Sequence, residues 1–253
     1  MKILSLLLAS TLLTVAALAA EKDTRVYEMR TYFAAPGKLD ALHARFRDHT
    51  VRLFDKHGIT NIGYWVPIEN PDTKLVWVIA FPSAEAREAS FKAFNADPEW
   101  QTAFKASEAE GKLVSRSETI LLTATDFSPE IKPSAGTGER VFELRTYTTT
   151  PGNLPHLLSR FRDHTVALFK KHGMTNLFYW TPAAGQKGAE NTLIYFLAHQ
   201  SQDAAKESFG KFRVDPDWNT ARKASEEKGG GSLTVPDGVK SLFLKATDYS
   251  PTR

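Results

Sequence analysis

The sequence predicts an α+β fold made of two tandem copies of one β-α-β-β-α-β unit. Three observations carry that prediction. Phe46-Arg47-Asp48-His49-Thr50-Val51 recurs as Phe161-Arg162-Asp163-His164-Thr165-Val166, 115 positions later. Flanking matches keep their order: Glu28-Met29-Arg30-Thr31-Tyr32 with Glu143-Leu144-Arg145-Thr146-Tyr147, Pro36-Gly37 with Pro151-Gly152, His57-Gly58 with His172-Gly173, and Tyr64-Trp65 with Tyr179-Trp180. A repeat of that length is domain-sized, not a solenoid unit. Within each copy the apolar period also switches between that of a strand and that of a helix.

The elements follow in order. Val26 to Tyr32 alternates as a half-buried strand, with Tyr27, Met29 and Thr31 on one face and Val26, Glu28, Arg30 and Tyr32 on the other. Pro36-Gly37 turns the chain. Leu39, Leu42, Phe46, His49 and Leu53 then form one helical stripe, and Gly58 ends the helix with His57 at its C-terminus. Ile62 to Val66 is a second strand, Asn70-Pro71-Asp72 a turn, and Leu75 to Phe81 a central strand covered on both sides. Ser83 caps a helix to about Phe94, and Asp97-Pro98 caps another that ends near Gly111. Leu113 to Ala124 closes the unit. This is the ferredoxin-like plan with its second helix broken.

The second copy repeats the plan, with insertions at Ala184 to Asn191 and at Gly229-Gly230-Gly231-Ser232. Both copies close on matching tails, Asp126-Phe127-Ser128-Pro129 and Asp248-Tyr249-Ser250-Pro251. The expected boundaries are residues 25–129 and 140–253, joined by a linker at 130–139. Each sheet has helices on one face only. The two bare faces are expected to cover each other as a pseudo-dimeric α/β barrel, with Glu28, Arg30, Tyr32 and their counterparts looking inward.

Composition narrows the function classes. The net charge of +3 has no basic run behind it, which argues against a nucleic-acid partner. Cysteine is absent, which excludes disulfides, thiol catalysis and thiolate metal sites. Met1-Lys2, the apolar run Ile3 to Leu18 and Ala17-Leu18-Ala19 read as a signal peptide over residues 1–19. The mature chain is therefore expected to be exported, to the periplasm or beyond. No other apolar run is long enough to span a bilayer. H-E-x-x-H, P-loop, G-x-S-x-G and G-x-G-x-x-G signatures are all missing, so no zinc hydrolase, nucleotide enzyme or serine hydrolase is expected.

Glu-hydrophobic-Arg-x-Tyr, Pro-Gly, Lys-His-Gly, Tyr-Trp and Asp-Pro-x-Trp, in that order and twice over, resemble the NIPSNAP family across nearly all of the mature chain. The resemblance implies the dimeric α/β-barrel fold. Other families with that barrel include cofactor-free monooxygenases, haem-degrading enzymes and haem peroxidases, an analogy of fold that does not fix function.

The candidate site residues each have a bland alternative. Glu28 with Arg30, and Glu143 with Arg145, project together from one strand face and suit an anionic or carbonyl ligand, with Tyr32 and Tyr147 beside them. They equally suit an interface salt bridge. Trp65 and Trp180 either wall a pocket or fill core. Gly63 faces Phe178 in the repeat, so the first copy is expected to hold the larger cavity. His49 and His164 are candidate proton carriers or haem ligands, or else histidines satisfied within their own fold. Arg45 and Asp48 are expected to pair on an exposed helix face, and Arg87, matched by Ala205, has no shared role.

The leading expectation is a small, largely apolar ligand in a barrel pocket, with no cofactor. Any catalysis would be of the cofactor-free oxygenase type, with His49 and Glu28 as acid and base. One alternative is haem held by His49 or His164. The other is a non-catalytic interaction module. A further homodimer is compatible with either.

Overall fold

A computed structural model describes residues 23–136 and 138–253. The signal-peptide segment lies outside the described residues. The first copy comprises β1 (Val26–Ala34), α1 (Leu39–Arg45), a π turn (Phe46–Thr50), α2 (Val51–Lys56), β2 (Thr60–Pro67), β3 (Lys74–Phe81), α3 (Ala84–Ala96), α4 (Pro98–Ser107) and β4 (Val114–Ala124). The second comprises β5 (Val141–Thr149), α5 (Leu154–Arg160), a π turn (Phe161–Thr165), α6 (Val166–Lys171), β6 (Thr175–Pro182), β7 (Thr192–His199), α7 (Gln202–Val214), α8 (Pro216–Lys228) and β8 (Thr234–Ala246). The strands close into one antiparallel barrel in the order β1-β3-β2-β8-β5-β7-β6-β4. Each copy thus contributes a ferredoxin-like sheet. Short seams join them, Trp65 opposite Ala246 on one side and Ala124 opposite Trp180 on the other.

The helix ends obey local chemistry. The Ser83 hydroxyl accepts from the Ala86 N–H at 3.2 Å, and the Asp97 carboxylate from the Glu99 N–H at 2.8 Å, with Pro98 starting α4. Ser201 and Asp215 repeat both caps. Gly58, at φ +72°, takes the left-handed turn after α2. The Asp97 carboxylate also receives Lys56 and the His57 ring, each at 2.7 Å, and these hold it well below the usual carboxylate range.

The barrel interior is a packed core. Tyr27, Trp65, Val76, Val78 and Ala80 from the first copy meet Phe142, Phe178, Trp180, Ile194 and Phe196 from the second. The linker adds Ile131, buried in the same cluster. Leu75, Trp77, Ile79 and Phe81 face the other way, onto Leu42, Phe46, Leu53, Phe54 and Phe94 of the helices. This corrects the expected orientation of β1. Tyr27 and Met29 face the barrel, and Glu28, Arg30 and Tyr32 lie under the helix layer. A dry seam between two sheets suits neutral side chains, whereas the carboxylate finds cations only on the helix side. The space left at Gly63 is no cavity either. A side chain there would collide with the Trp65 indole, which fills it.

The tails tie the halves together reciprocally. Tyr249 stacks on Phe46 at 6.2 Å, Asp248 pairs with Arg47 at 2.6 Å, and the Tyr64 N–H donates to the Ser250 hydroxyl at 2.9 Å. In return Phe127 stacks on Phe161 at 6.4 Å, Asp126 pairs with Arg162 at 2.8 Å, and the Tyr179 N–H donates to the Ser128 hydroxyl at 3.1 Å. Each copy ends inside the helix layer of the other. Among the described residues no helix is long and apolar enough to cross a membrane.

Candidate functional site

The helix that follows β1 does not keep one period. A π turn over Phe46–Thr50 inserts one extra residue, and the Thr50 hydroxyl donates to the Arg45 carbonyl at 3.1 Å. The buried stripe therefore slips. It reads Leu42, Arg45, Phe46, Thr50, Leu53 and Phe54, and the expected His49 is rotated off it. The second copy slips identically at Arg160, Phe161 and Thr165. Turns of this kind recur at functional sites, and here the slip turns an arginine inward.

That arginine helps to wall a cavity of about 330 Å³ between the outer face of the first sheet and its helices. Arg30, Tyr32 and Trp77 form its floor. Arg45, Phe46, Thr50 and Phe54 line one side, and Arg87, Phe91, Phe94, Asn95, Trp100 and Phe104 the other. Most of the wall is aromatic and three of its members are arginines. A larger hollow of about 740 Å³, between the linker and the ends of β5 and β8, has mostly polar and glycine walls with Phe142 as its one aromatic. The smaller cavity has the apolar walls and convergent polar groups of a ligand site.

The charges are arranged around two carboxylates. Glu28, fully buried, accepts from both Arg30 and Arg87. Phe91 lies against both guanidiniums, 4.9 Å from Arg30 and 5.2 Å from Arg87. Arg30 also donates to the Tyr32 hydroxyl at 3.2 Å. Burial opposes its charge, but Tyr32 and Glu28 outweigh that and raise its pKa. Arg45 pairs with Glu108 at 3.1 Å and lies over Phe104 at 5.1 Å. Two lining residues carry a buried N–H with no partner, the Arg45 Nε and the Trp77 Nε1.

The second copy builds the same frame with other partners. Glu143 accepts from Arg145 at 2.5 Å, from the Ser241 hydroxyl at 2.5 Å and from His199 at 3.0 Å. Burial works to raise its pKa, but the His199 bond and the Arg145 charge outweigh this and hold it below the usual carboxylate range. Each nitrogen of Arg145 has a partner, since it also donates to Tyr195 at 2.9 Å and to Tyr147 at 3.2 Å.

The expected site residues therefore divide. Arg30 and Tyr32 line the cavity, with Glu28 directly behind them. Glu143, Arg145 and Tyr147 form the equivalent cluster in the second copy. Trp65 and Trp180 belong to the barrel core, away from both. His49 is half-buried and His164 exposed, and neither lines the cavity. No imidazole or thiol stands in its wall, so this cavity does not fit a haem held through those histidines. Arg45 and Arg87 were missed. Arg45 does not pair with Asp48 on the surface but is buried against Glu108. Arg87 has a role after all, on Glu28. The available signal was a linked change between the copies: Phe81 and Arg87 become His199 and Ala205, so one partner of the carboxylate replaces another.

Comparison with known proteins agrees with this architecture. The chain is 23% identical over 180 residues to the protein NipSnap homolog of Dictyostelium discoideum, covering 70% of this chain and 71% of that protein. Among solved structures it resembles a candidate monooxygenase from Lactobacillus acidophilus, at 11% identity and TM-score 0.54, over 88% of this chain and 94% of that one. It also resembles a candidate chlorite dismutase, at 13% identity and TM-score 0.54, over 89% and 96%. At such identities these likenesses show the fold alone, the dimeric α/β barrel formed here within one chain. The NIPSNAP family model matches residues 27–129 and 142–251, one match to each copy, and the chain belongs to the NIPSNAP family.

Proposed function

We propose that this chain is an exported binding protein that takes one small, largely apolar ligand between the first sheet and its helices. The export half rests on the leader-like sequence of residues 1–19. The binding half rests on one observation: an aromatic-walled cavity of about 330 Å³ two of whose lining residues, Arg45 and Trp77, each carry a partnerless buried N–H. A buried donor without a partner costs about 1–3 kcal/mol. A ligand oxygen reaching those donors would remove that cost, while its apolar body rests on Phe46, Phe91 and Trp100. The barrel lumen, filled by Trp65, Trp180 and their neighbours, is not the site.

Binding is favoured over turnover because the cavity wall offers no free base. Its two adjacent carboxylates are both held in ion pairs, Glu28 by two guanidiniums and Glu108 by Arg45. An interaction module would call for a contiguous apolar surface. Among the described residues the exposed large apolar side chains, Phe104, Val214 and Val239, sit at separate places in the chain.

Trp77 and Trp100 report directly on the cavity. Small aromatic compounds should change tryptophan fluorescence in the wild type. Asn95 is exposed at the cavity rim, so Asn95→Trp should fold normally and obstruct entry. An undiminished response in that variant would remove the cavity as the site.

A further inference from the structure

We propose that the ligand of the first-copy cavity is a monoanion, an apolar or aromatic carboxylate, and that Arg87 makes the first copy its receptor. The proposal rests on the cavity reading above and adds the ligand's charge and the residue that sets it.

Charge counting is the first argument. Around the first cavity stand three guanidiniums, Arg30, Arg45 and Arg87, against two carboxylates, Glu28 and Glu108. The balance is one positive charge in a largely buried, aromatic-walled place, where an unmatched charge is costly. In the second copy Ala205 stands in place of Arg87. Two guanidiniums, Arg145 and Arg160, then face two carboxylates, Glu143 and Glu226, and the third guanidinium is replaced by the imidazole of His199. Arg213 and Arg222, at the positions of Asn95 and Phe104, are exposed, where solvent and salt screen them.

Donor counting gives the same answer independently. Tyr195 accepts a bond from Arg145, but its counterpart is Trp77, which can only donate. Arg30 accordingly keeps a free Nη2, and Arg87 uses only its Nε, on Glu28. The orphan Nε of Arg45 is matched by that of Arg160, but the orphan Trp77 Nε1 has no counterpart, so the first site has more donors left over than the second. A carboxylate is acceptor-only, planar, and matched to guanidinium forks. A cavity of about 330 Å³ leaves room for one or two rings beyond it.

The test uses matched pairs that differ in charge alone: benzoate and benzamide, 1-naphthoate and 1-naphthamide, 3-phenylpropanoate and its amide. Calorimetric titration of the mature chain should show each carboxylate that binds doing so once per chain, about tenfold or more tighter than its amide. The double substitution F81H/R87A gives Glu28 the second copy's own solution and removes the extra charge. It should bring carboxylate affinity down to that of the amide and leave the amide unaffected. If the double variant does not fold, Arg87→Gln keeps a donor on Glu28 and carries the same expectation. Equal affinity for acid and amide would overturn the anion inference and leave the cavity reading standing. Two sites per chain would overturn the role of Arg87. No binding by any member of any pair would overturn the cavity reading with it.

Discussion

The two helix-side clusters show how a duplicated scaffold diverges. Both begin from a carboxylate buried at the middle of a strand, Glu28 or Glu143, with an arginine two residues on. The second copy closes its ion pair: with His199, Ser241, Tyr147 and Tyr195 around it, each nitrogen of Arg145 and each carboxylate oxygen of Glu143 has a partner. The first copy leaves its cluster open. It recruits Arg87 across from α3 and puts Trp77 where a hydroxyl would have closed the set. Satisfied networks rigidify a core, and unsatisfied ones wait for a partner. Both copies leave the buried Nε of the arginine before the π turn, Arg45 or Arg160, without a partner, but only the first adds a partnerless indole N–H and a third guanidinium.

The sharpest way to break this comparison is to remove each carboxylate. Breaking a buried ion pair by deleting one partner costs about 3–5 kcal/mol. Glu143→Leu should fall at the upper end and Glu28→Leu at the lower. The Arg145 side chain is 13% exposed, whereas those of Arg30 and Arg87 are 21% and 26% exposed and can recover some hydration. Urea unfolding measures both. Equal losses would mean that the first cluster is as closed as the second.

Much of the fold was legible because it is written in periods and caps. The repeat, the Asp-Pro-x-Trp starts of α4 and α8 and the doubly covered β3 all read directly from residue type. The orientation of β1 did not. Its two faces, Tyr27-Met29-Thr31 and Glu28-Arg30-Tyr32, are both mixed. What decides between them is Arg87, 59 residues away on α3. The π turn was equally hidden. One inserted residue leaves no trace in a stripe of Leu39, Leu42, Phe46 and Leu53, and the bond that supports it, Thr50 to the Arg45 carbonyl, uses a threonine that looks ordinary. Hence the error about the site was one of rotation: His49 stood where Arg45 and Thr50 belong. The tails were legible as a matching pair, but their crossing into the opposite copy was not.

That crossing offers a second, milder comparison. Phe127→Ala removes a ring from Phe161 and Tyr179, and Tyr249→Ala removes one from Phe46 and Tyr64. Full truncation of a core aromatic costs about 3–5 kcal/mol, and these half-buried rings should cost roughly 2–3. Phe46 lines the proposed cavity and Phe161 belongs to the closed cluster. Tyr249→Ala should therefore weaken ligand-induced fluorescence changes as well as stability, while Phe127→Ala should lower stability alone. A ligand response untouched by Tyr249→Ala would show that the tail does not support the cavity wall.

The smallest expected effect separates the two tails by pH. In one clip the Tyr249 hydroxyl bonds the His43 ring at 2.8 Å, and in the other the same two positions are Phe127 and Leu158. Burial, reinforced by the Arg47 charge, lowers the His43 pKa below its ordinary 6.5. The unfolded chain then binds this proton more readily than the folded one. Stability is unaffected well above pH 6.5 and falls as the pH drops through that value towards the lower folded pKa. The double substitution H43L/Y249F copies the second clip into the first. At pH 8 it should change stability by about 1 kcal/mol or less, the usual worth of one hydrogen bond offset by added apolar packing. Between pH 7 and 5 it should flatten part of the acid-side decline that the wild type shows. An acid limb identical in the two proteins would mean that His43 takes up its proton equally well folded or unfolded, and that the two clips differ in shape but not in charge.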